Sequence, residues 1–160
     1  MKRILMLMFS ALVIITSGCK KKDAAPKDAV EQYVALLKSN TYERNTPIPK
    51  FGKDQISALL KYANDSQVIQ NFPIPTYSSL AGYPAQKVGV IILYTIESIR
   101  LQRLEGASTR LHVTDSAAPQ RTVDLTELLP YYTSWWEKNK DKSADELKRT
   151  SPFEGTTLSW

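Results

Sequence analysis

The chain has 160 residues, of which 21 are basic and 16 are acidic, with one histidine and one cysteine. This length suits one domain, and a single cysteine excludes an internal disulfide framework. The formal net charge of +5 comes from the N-terminal end, because Lys2, Arg3 and the lysine run at 20–22 supply five of the basic residues. The 16 basic residues that remain equal the 16 acidic ones. This balance argues against nucleic-acid binding, which depends on a basic face that neutralises phosphates.

The first 18 residues have the order of a secretory signal peptide. Lys2 and Arg3 form a basic start, and an apolar run at 4–15, interrupted only by Ser10, leads into small residues. A transmembrane helix needs about 20 apolar residues, so this run is too short to span a membrane. We predict that residues 1–18 are cleaved from the mature protein.

The single cysteine stands at the end of this signal, in a segment that reads Ile15-Thr16-Ser17-Gly18-Cys19. The segment resembles the lipobox of bacterial lipoproteins, with Thr16 where leucine is commonest. A relaxed box followed by lysines is similar to the pattern in Bacteroidota lipoproteins. The resemblance implies cleavage before Cys19 and acylation of that residue. Lys20 stands where an aspartate would indicate retention in the inner membrane, so we expect anchoring to the outer membrane, on its periplasmic or its surface face. The alternative is an ordinary secretory signal with an incidental cysteine.

After the cysteine, residues 19–25 are predicted to be a flexible tether and residues 26–160 a single helical domain. Pro26 suits the first turn of a helix, where its missing N–H costs nothing. The next apolar residues recur at the i, i+3, i+4, i+7 spacing of an amphipathic helix, and they are Val30, Tyr33, Val34 and Leu37. The stretch 41–51 contains prolines and no periodicity, so it is predicted to be a loop.

A second helix is predicted at 54–63 by the same spacing, in the residues Ile56, Leu59, Leu60 and Ala63. Ser66 is a suitable N-cap, so we expect a further short helix after it. That helix would carry three side chains onto the core, namely Val68, Ile69 and Phe72.

The stretch 87–104 is the most apolar of the mature chain. Its many β-branched residues favour a buried strand, but 18 residues with no breaker after Gly89 exceed a normal strand, so a helix is predicted. On a helical wheel, Ser98 and Gln102 belong to a narrow polar stripe, and the other sides are almost entirely apolar. A helix of this kind is central, with neighbours on both sides.

Residues 110–125 break the helical pattern. Leu111 alternates with Val113, and Val123 alternates with Leu125, on either side of a turn-rich link. This alternation permits a small β-hairpin. The whole pattern predicts a mainly α fold, a small single-domain bundle of about five helices around the central helix at 88–104.

Two capping boxes predict the last helices. Asp124 and Glu127 have the required spacing for a helix to about residue 139, in which Pro130 either causes a kink or marks the first turn. Ser143 and Glu146 predict a final short helix. The C-terminal tail is expected to fold back onto the domain.

Glu97 is the one charged residue on an apolar face of the predicted central helix. A carboxylate in that position is costly to bury unless it is paired or hydrogen-bonded, and Arg100 is its natural partner at i, i+3. One interpretation places the pair in a cleft, with Glu97 as a general base or a ligand-binding carboxylate and Arg100 as an anion clamp. The favoured interpretation is structural, with Glu97 accepting backbone N–H groups from a loop.

His112 is the single histidine, and no second histidine or cysteine stands near it. The spacing of a metal site is therefore absent, and so are the glycine-rich motifs that bind nucleotides or phosphate. We expect no cofactor and no metal. A solvated surface position for His112 is favoured over a catalytic role.

Four aromatic residues are concentrated in one predicted helix, namely Tyr131, Tyr132, Trp135 and Trp136. They form two i, i+4 pairs that cover more than one helix face. One pair is a candidate stacking platform for a sugar ring or a peptide. The favoured alternative is that they pack against the central helix and the tail, with one ring partly exposed, as is usual for Trp.

Three stretches of the mature chain read Ile56-Ser57-Ala58-Leu59-Leu60-Lys61-Tyr62-Ala63, Asn71-Phe72-Pro73 and Tyr94-Thr95-Ile96-Glu97-Ser98-Ile99-Arg100. They resemble small uncharacterised Bacteroidota lipoproteins, a resemblance that implies no particular activity. We therefore expect a non-enzymatic cell-envelope module, held at a membrane through Cys19, that binds a protein or glycan partner. The alternative is a small hydrolase or lyase that uses Glu97 with Arg100 or His112. A purely structural role in envelope assembly is a third hypothesis.

Overall fold

The computed structural model describes residues 29–43, 46–74, 83–104 and 106–160. The predicted signal peptide, the lipobox at Cys19, the tether and Pro26 lie outside these residues, so those predictions stay predictions.

Five α-helices make up most of the regular structure of the described residues. They are α1 (Ala29–Lys38), α2 (Ile56–Leu60, entered through a 3₁₀ turn at Lys53–Gln55), α3 (Val88–Leu101), α4 (Leu125–Asn139) and α5 (Ala144–Leu147). Four strands of two residues each form two antiparallel pairs. These strands are β1 (Val68–Ile69), β2 (Gln86–Lys87), β3 (Thr114–Asp115) and β4 (Leu158–Ser159). β1 pairs with β2, and β3 pairs with β4. Among the described residues, no helix combines the length and the apolar character needed to cross a membrane.

The central position predicted for α3 is confirmed. Every residue from position 91 to position 100 is buried, and the helix contacts α2, α4 and α5. It ends where Gln102 adopts a left-handed conformation with φ 56°, a common way to close a helix. The mainly α, single-domain fold is thus the one that the apolar periodicity predicts.

α1 buries the face that its spacing predicts, and the Tyr33 ring lies at its centre. The Tyr33 hydroxyl is 2.8 Å from Thr95 Oγ1 on α3. Tyr42 and Phe51 pack edge-on against the Tyr33 ring, each at a centroid distance of 5.5 Å. Aromatic side chains thus attach the predicted loop to the helical core.

The short helix predicted after Ser66 is wrong, because this segment forms the extended strand β1. The first N–H groups of a helix have no hydrogen-bond partner within that helix. Here the extended segment supplies a partner for the first residue of α3, because the Val88 N–H donates to Gln67 O at 2.9 Å. Extended backbone then alternates its side chains. Ile69 is buried as predicted, whereas Val68 is 63% exposed instead of belonging to the core.

The hairpin predicted within 110–125 is also wrong in its pairing. β3 does form there, but its partner is β4 near the C-terminus, with Thr114 opposite Ser159. The Asp115 carboxylate accepts a hydrogen bond from the Thr157 hydroxyl at 2.5 Å, which draws the tail to this strand. Leu125, expected in the second strand, is instead the first residue of α4.

The helix starts follow their capping residues. The Asp124 side chain accepts from the Thr126 N–H at the start of α4, but Glu127 binds Arg121 instead of completing a capping box. Pro130 lies inside α4. Ser143 and Glu146 form the complete capping box predicted for α5.

Candidate functional site

Glu97 and Arg100 form a two-pronged ion pair inside the protein. Arg100 Nε donates to Glu97 Oε2 at 2.9 Å, and Arg100 Nη2 donates to Glu97 Oε1 at 2.6 Å. Each side chain is only 8% exposed. The pairing predicted from the i, i+3 spacing therefore exists, and it brings two charges into the core.

The remaining polar atoms of this pair are also occupied. Arg100 Nη1 donates to the backbone carbonyls of Lys148, at 3.1 Å, and of Thr150. The Tyr132 hydroxyl donates to Glu97 Oε2 at 3.3 Å and accepts from Trp160 Nε1 at 2.7 Å. We call Glu97, Arg100, Tyr132 and Trp160 the Glu97 cluster. Glu97 thus accepts from side chains, not from the loop backbone that the structural interpretation expected.

Burial and charge set the protonation states of Arg100 and Tyr132. Burial disfavours the charged form of Arg100, but the hydrogen bonds and the negative charge of Glu97 outweigh it and raise the pKa of Arg100. Burial, with the charge of Glu97 second, raises the pKa of Tyr132 well above its usual value. Arg100 stays charged and Tyr132 stays protonated, so the cluster is an arrangement of donors around one carboxylate.

The aromatic candidates are mostly inside the domain. Tyr132, Trp135 and Trp136 are buried, while Tyr131 is half-buried. Trp135 Nε1 donates to Thr150 Oγ1 at 2.8 Å, and the Phe153 ring stands edge-on to both tyrosines. The structure thus packs these rings against the tail.

A shallow groove of about 440 Å³ runs beside the half-buried Tyr131 ring. Trp135 and Pro152 also line it, with Lys138 and Glu154 among its polar residues. Tyr131 is the member of the aromatic set that offers the most surface for stacking.

A larger cleft of about 530 Å³ lies near the first turn of α3, at the opposite end of this helix from the Glu97 cluster. Its apolar lining comes from several elements and comprises Val68, Val90, Val113, Val123, Leu125 and Leu128. Neutral polar side chains also face it, namely Gln86, Thr114, Gln120 and Thr122. We call this site the β2–β3 cleft, because both strands contribute to its walls. Its volume and mixed lining are those of a ligand site.

The charges at the β2–β3 cleft are paired within the chain. Lys87 Nζ lies 2.7 Å from Asp124 Oδ2, and this bond, with the Thr126 N–H, lowers the pKa of Asp124 to about 2. Arg121 lies between two carboxylates, 2.6 Å from Glu127 and 2.8 Å from Asp115. Both cationic side chains are therefore held in place beside the apolar lining.

His112 is exposed and lines the β2–β3 cleft, as its predicted surface position requires. Neither Glu97 nor Arg100 lines this cleft, so the structure brings Glu97 to Arg100 but not to His112. Within the described ranges, no three histidine, cysteine or acidic side chains converge as metal ligands. One sequence feature indicated a residue of the cleft indirectly, namely the predicted helix cap at Asp124. No sequence feature indicated Lys87, which pairs with Asp124.

The fold and its sites define a small, mainly α-helical domain with a buried ion pair at one end of its central helix and an open cleft at the other. A protein-family model described as a domain of unknown function, DUF4943, matches residues 24–160. The chain therefore belongs to the DUF4943 family. No curated protein and no solved structure matches it.

Proposed function

We propose that this protein is a lipid-anchored component of the bacterial cell envelope, fixed to the outer membrane through Cys19. Its helical domain acts as a non-enzymatic binding module for a protein or glycan partner. The partner binds at the β2–β3 cleft. The observation that carries this proposal is the contrast between an open cleft with an apolar lining and a carboxylate–guanidinium pair that is closed to solvent.

Support for the anchor comes from the N-terminal sequence. A basic start, an apolar run and small residues precede Cys19, in the order of a lipoprotein signal. The family match begins at residue 24, directly after the lysine run and Asp23. This starting point supports an anchor segment that is separate from the folded domain, as in a tethered module.

Support for binding without catalysis comes from the occupied atoms of the Glu97 cluster. A general base must reach the proton that it removes, but both oxygens of Glu97 accept hydrogen bonds from buried side chains. The β2–β3 cleft, by contrast, has room for part of a partner and is open to solvent. Its polar groups are suited to orienting a bound molecule.

The anchor is tested by feeding labelled palmitate to cells that express the full precursor. The unaltered protein is expected to carry the label and to sediment with the outer membrane. The Cys19→Ser variant is expected to carry none and to leave the membrane fraction. An unaltered protein without label would overturn the anchor.

Binding at the cleft is tested by replacing Val68 with a photo-crosslinking residue, benzoylphenylalanine, in intact cells. Leu36 gives the matched control, because it is the other large apolar side chain that is exposed among the described residues and it does not line the cleft. A discrete adduct is expected at position 68 and not at position 36. No adduct at 68, or equal adducts at both positions, would overturn binding at the cleft.

A further inference from the structure

Resting on the proposed function, we infer that the partner at the β2–β3 cleft is a protein, and that it inserts one aliphatic side chain between Val68, Val90 and Val123. The segment that carries this side chain is uncharged. Its peptide groups form hydrogen bonds with the carboxamides of Gln86 and Gln120. All five of these side chains are at least partly accessible to solvent, and all of them line the cleft.

The apolar lining of the cleft is open to solvent at its outer part. Val68 is 63% exposed, more than any other large apolar side chain among the described residues. Val90 and Val123 are half-buried, and below them Leu125 and Leu128 are buried and close the floor. An apolar group that enters from outside therefore covers the three valines without displacing the two leucines. The cleft volume of about 530 Å³ leaves room for such a group.

The kind of apolar group in the lining favours an aliphatic side chain over a sugar ring. All the apolar side chains around the cleft are aliphatic, and none of the described residues that line it is aromatic. A sugar ring is held best by the flat face of an aromatic ring, and the half-buried Tyr131 ring lines the other groove instead. Branched aliphatic side chains interdigitate closely with one another, so the valines suit a partner of their own kind.

Two carboxamides in the lining favour a peptide over a lipid. Gln86 is half-buried and Gln120 is exposed, and neither side chain has a hydrogen-bond partner among the described residues. A carboxamide offers an acceptor oxygen and two donor hydrogens, so it can bond to both the N–H and the C=O of a peptide group. A peptide that carries an aliphatic side chain thus satisfies the valines and the glutamines together. An acyl chain would leave both glutamines unbonded.

The ion pairs at the cleft favour an uncharged segment. Lys87 is already bonded to Asp124, and Arg121 to Asp115 and Glu127, at 2.6–2.8 Å. A charged partner would have to compete with these bonds, whereas a neutral one leaves them intact. Charge complementarity therefore selects a segment without lysine, arginine, aspartate or glutamate beside its aliphatic side chain.

The test uses the full-length protein extracted from membranes and a phage library of linear octapeptides. Selection is expected to enrich uncharged sequences that share one aliphatic position. Enrichment is expected to vanish on the Val68→Asp variant and to persist on the matched Leu36→Asp variant. Both substituted side chains are exposed, so both variants are expected to fold, and circular dichroism checks this. No enrichment, enrichment of charged sequences, or equal loss on both variants would overturn the inference.

The two kinds of contact are then measured separately with the best peptide. Asparagine in place of the shared aliphatic residue is expected to raise Kd by about tenfold or more, as for a buried anchor. An ester in place of a neighbouring peptide bond removes one N–H and is expected to raise Kd by about fivefold. That ester effect should disappear on the double variant Gln86→Ala with Gln120→Ala. An equal ester effect on the unaltered protein and on this variant would contradict the bonds to the carboxamides.

Methyl NMR of the same protein shows where the peptide lies. The peptide is expected to shift the methyl signals of Val90 and Val123 and to leave those of Leu36 unchanged, because Leu36 does not line the cleft. Unchanged valine signals would contradict insertion between them. If position 68 crosslinks to a glycan or a lipid and no peptide is enriched, the inference of a protein partner fails while binding at the cleft stands. If position 68 yields no adduct at all, the proposed function itself fails.

Discussion

Charged side chains are buried at one end of α3 and exposed at the other. Near its last turn, Glu97 and Arg100 are buried against each other and against the tail. Near its first turn, Lys87 and Asp124 pair at the surface, where both side chains are more than one-third exposed. The same helix therefore ends in a closed polar core on one side and begins in an open cleft on the other.

The two ends of α3 therefore differ in how much their ion pairs matter for stability and in how open they are to a partner. A buried ion pair loses its hydration and stabilises the fold only weakly relative to apolar packing, but removing one partner is costly. An exposed pair contributes between 0 and about 1 kcal/mol, so it adds little to the stability of the fold. The closed end is thus suited to holding α3, α4 and the tail in one arrangement, and the open end to binding.

The largest loss is expected from Arg100→Met, which leaves the Glu97 carboxylate buried without its cation. Breaking such a pair costs about 3–5 kcal/mol, and the backbone carbonyls of Lys148 and Thr150 also lose their donor. Urea unfolding at pH 7 measures the change. The double variant Glu97→Leu with Arg100→Met is the control and should be more stable than Arg100→Met alone. A loss below about 1 kcal/mol in the single variant would show that water reaches the pair.

The next largest effect is expected at the cleft end, from Gly89→Ala. An added Cβ would lie 2.4 Å from Ala63 O and 2.6 Å from Leu125 Cδ2. Overpacking of this kind costs about 1–3 kcal/mol, and a displaced Leu125 would alter the cleft that it lines. Thermal unfolding checks this against Gly52→Ala, where the nearest atom is 3.6 Å away. Equal melting temperatures for the two variants would contradict the close packing of α3 on Ala63.

A smaller effect is expected from Trp160→Phe, which keeps a ring but removes the indole donor to the Tyr132 hydroxyl. A hydrogen bond of this kind contributes about 1 kcal/mol. A double-mutant cycle with Tyr132→Phe isolates it, since Trp160→Phe should cost less once the hydroxyl is absent. Fully additive losses would indicate that the two side chains act independently.

The last effect, expected from Asp115→Asn, is distinguished by its pH dependence, because the loss of stability is present at neutral pH and disappears in acid. Hydrogen bonds from Thr157, Arg121 and the Ala117 N–H lower its pKa from 3.8 to about 2. Because the folded state favours the charged form, this stabilisation is present above about pH 4 and is lost as the pH falls toward 2. Urea midpoints measured across this range should fall less steeply in Asp115→Asn than in the unaltered protein. Asp54→Asn, at an exposed position, is the control, and identical pH profiles for all three proteins would count against the prediction.

Local patterns predicted the features that depend on nearby residues. The central helix followed from its length and apolar periodicity, and the pairing of Glu97 with Arg100 followed from their spacing. The capping box of Ser143 with Glu146 formed for the same reason. Each of these features is determined by residues that are close together in the chain.

The predictions failed where distant segments meet. The segment after Ser66 forms the extended strand β1 instead of a short helix, and the carbonyl just before it, Gln67 O, accepts a hydrogen bond from Val88 N–H at the start of α3. β3 pairs with the distant C-terminal strand β4 instead of with the chain that follows it directly. The β2–β3 cleft depends on both of these long-range contacts, so local periodicity could not predict it. Tyr132 and Trp160 joined the Glu97 cluster in the same way, through contacts across 35 and 28 residues.

Glu97 and Arg100 also affect the chain before it folds. An exported chain passes unfolded through a membrane channel, where apolar segments can leave sideways into lipid. A charged residue at the centre of a membrane helix costs about 2.5–3.5 kcal/mol on an insertion scale. Glu97 and Arg100 both lie in α3, the most apolar helix of the described residues. For the exported protein proposed above, the pair thus favours complete passage. The double variant Glu97→Leu with Arg100→Met, which has neither charge, should accumulate in the inner membrane, and its normal export would refute this role.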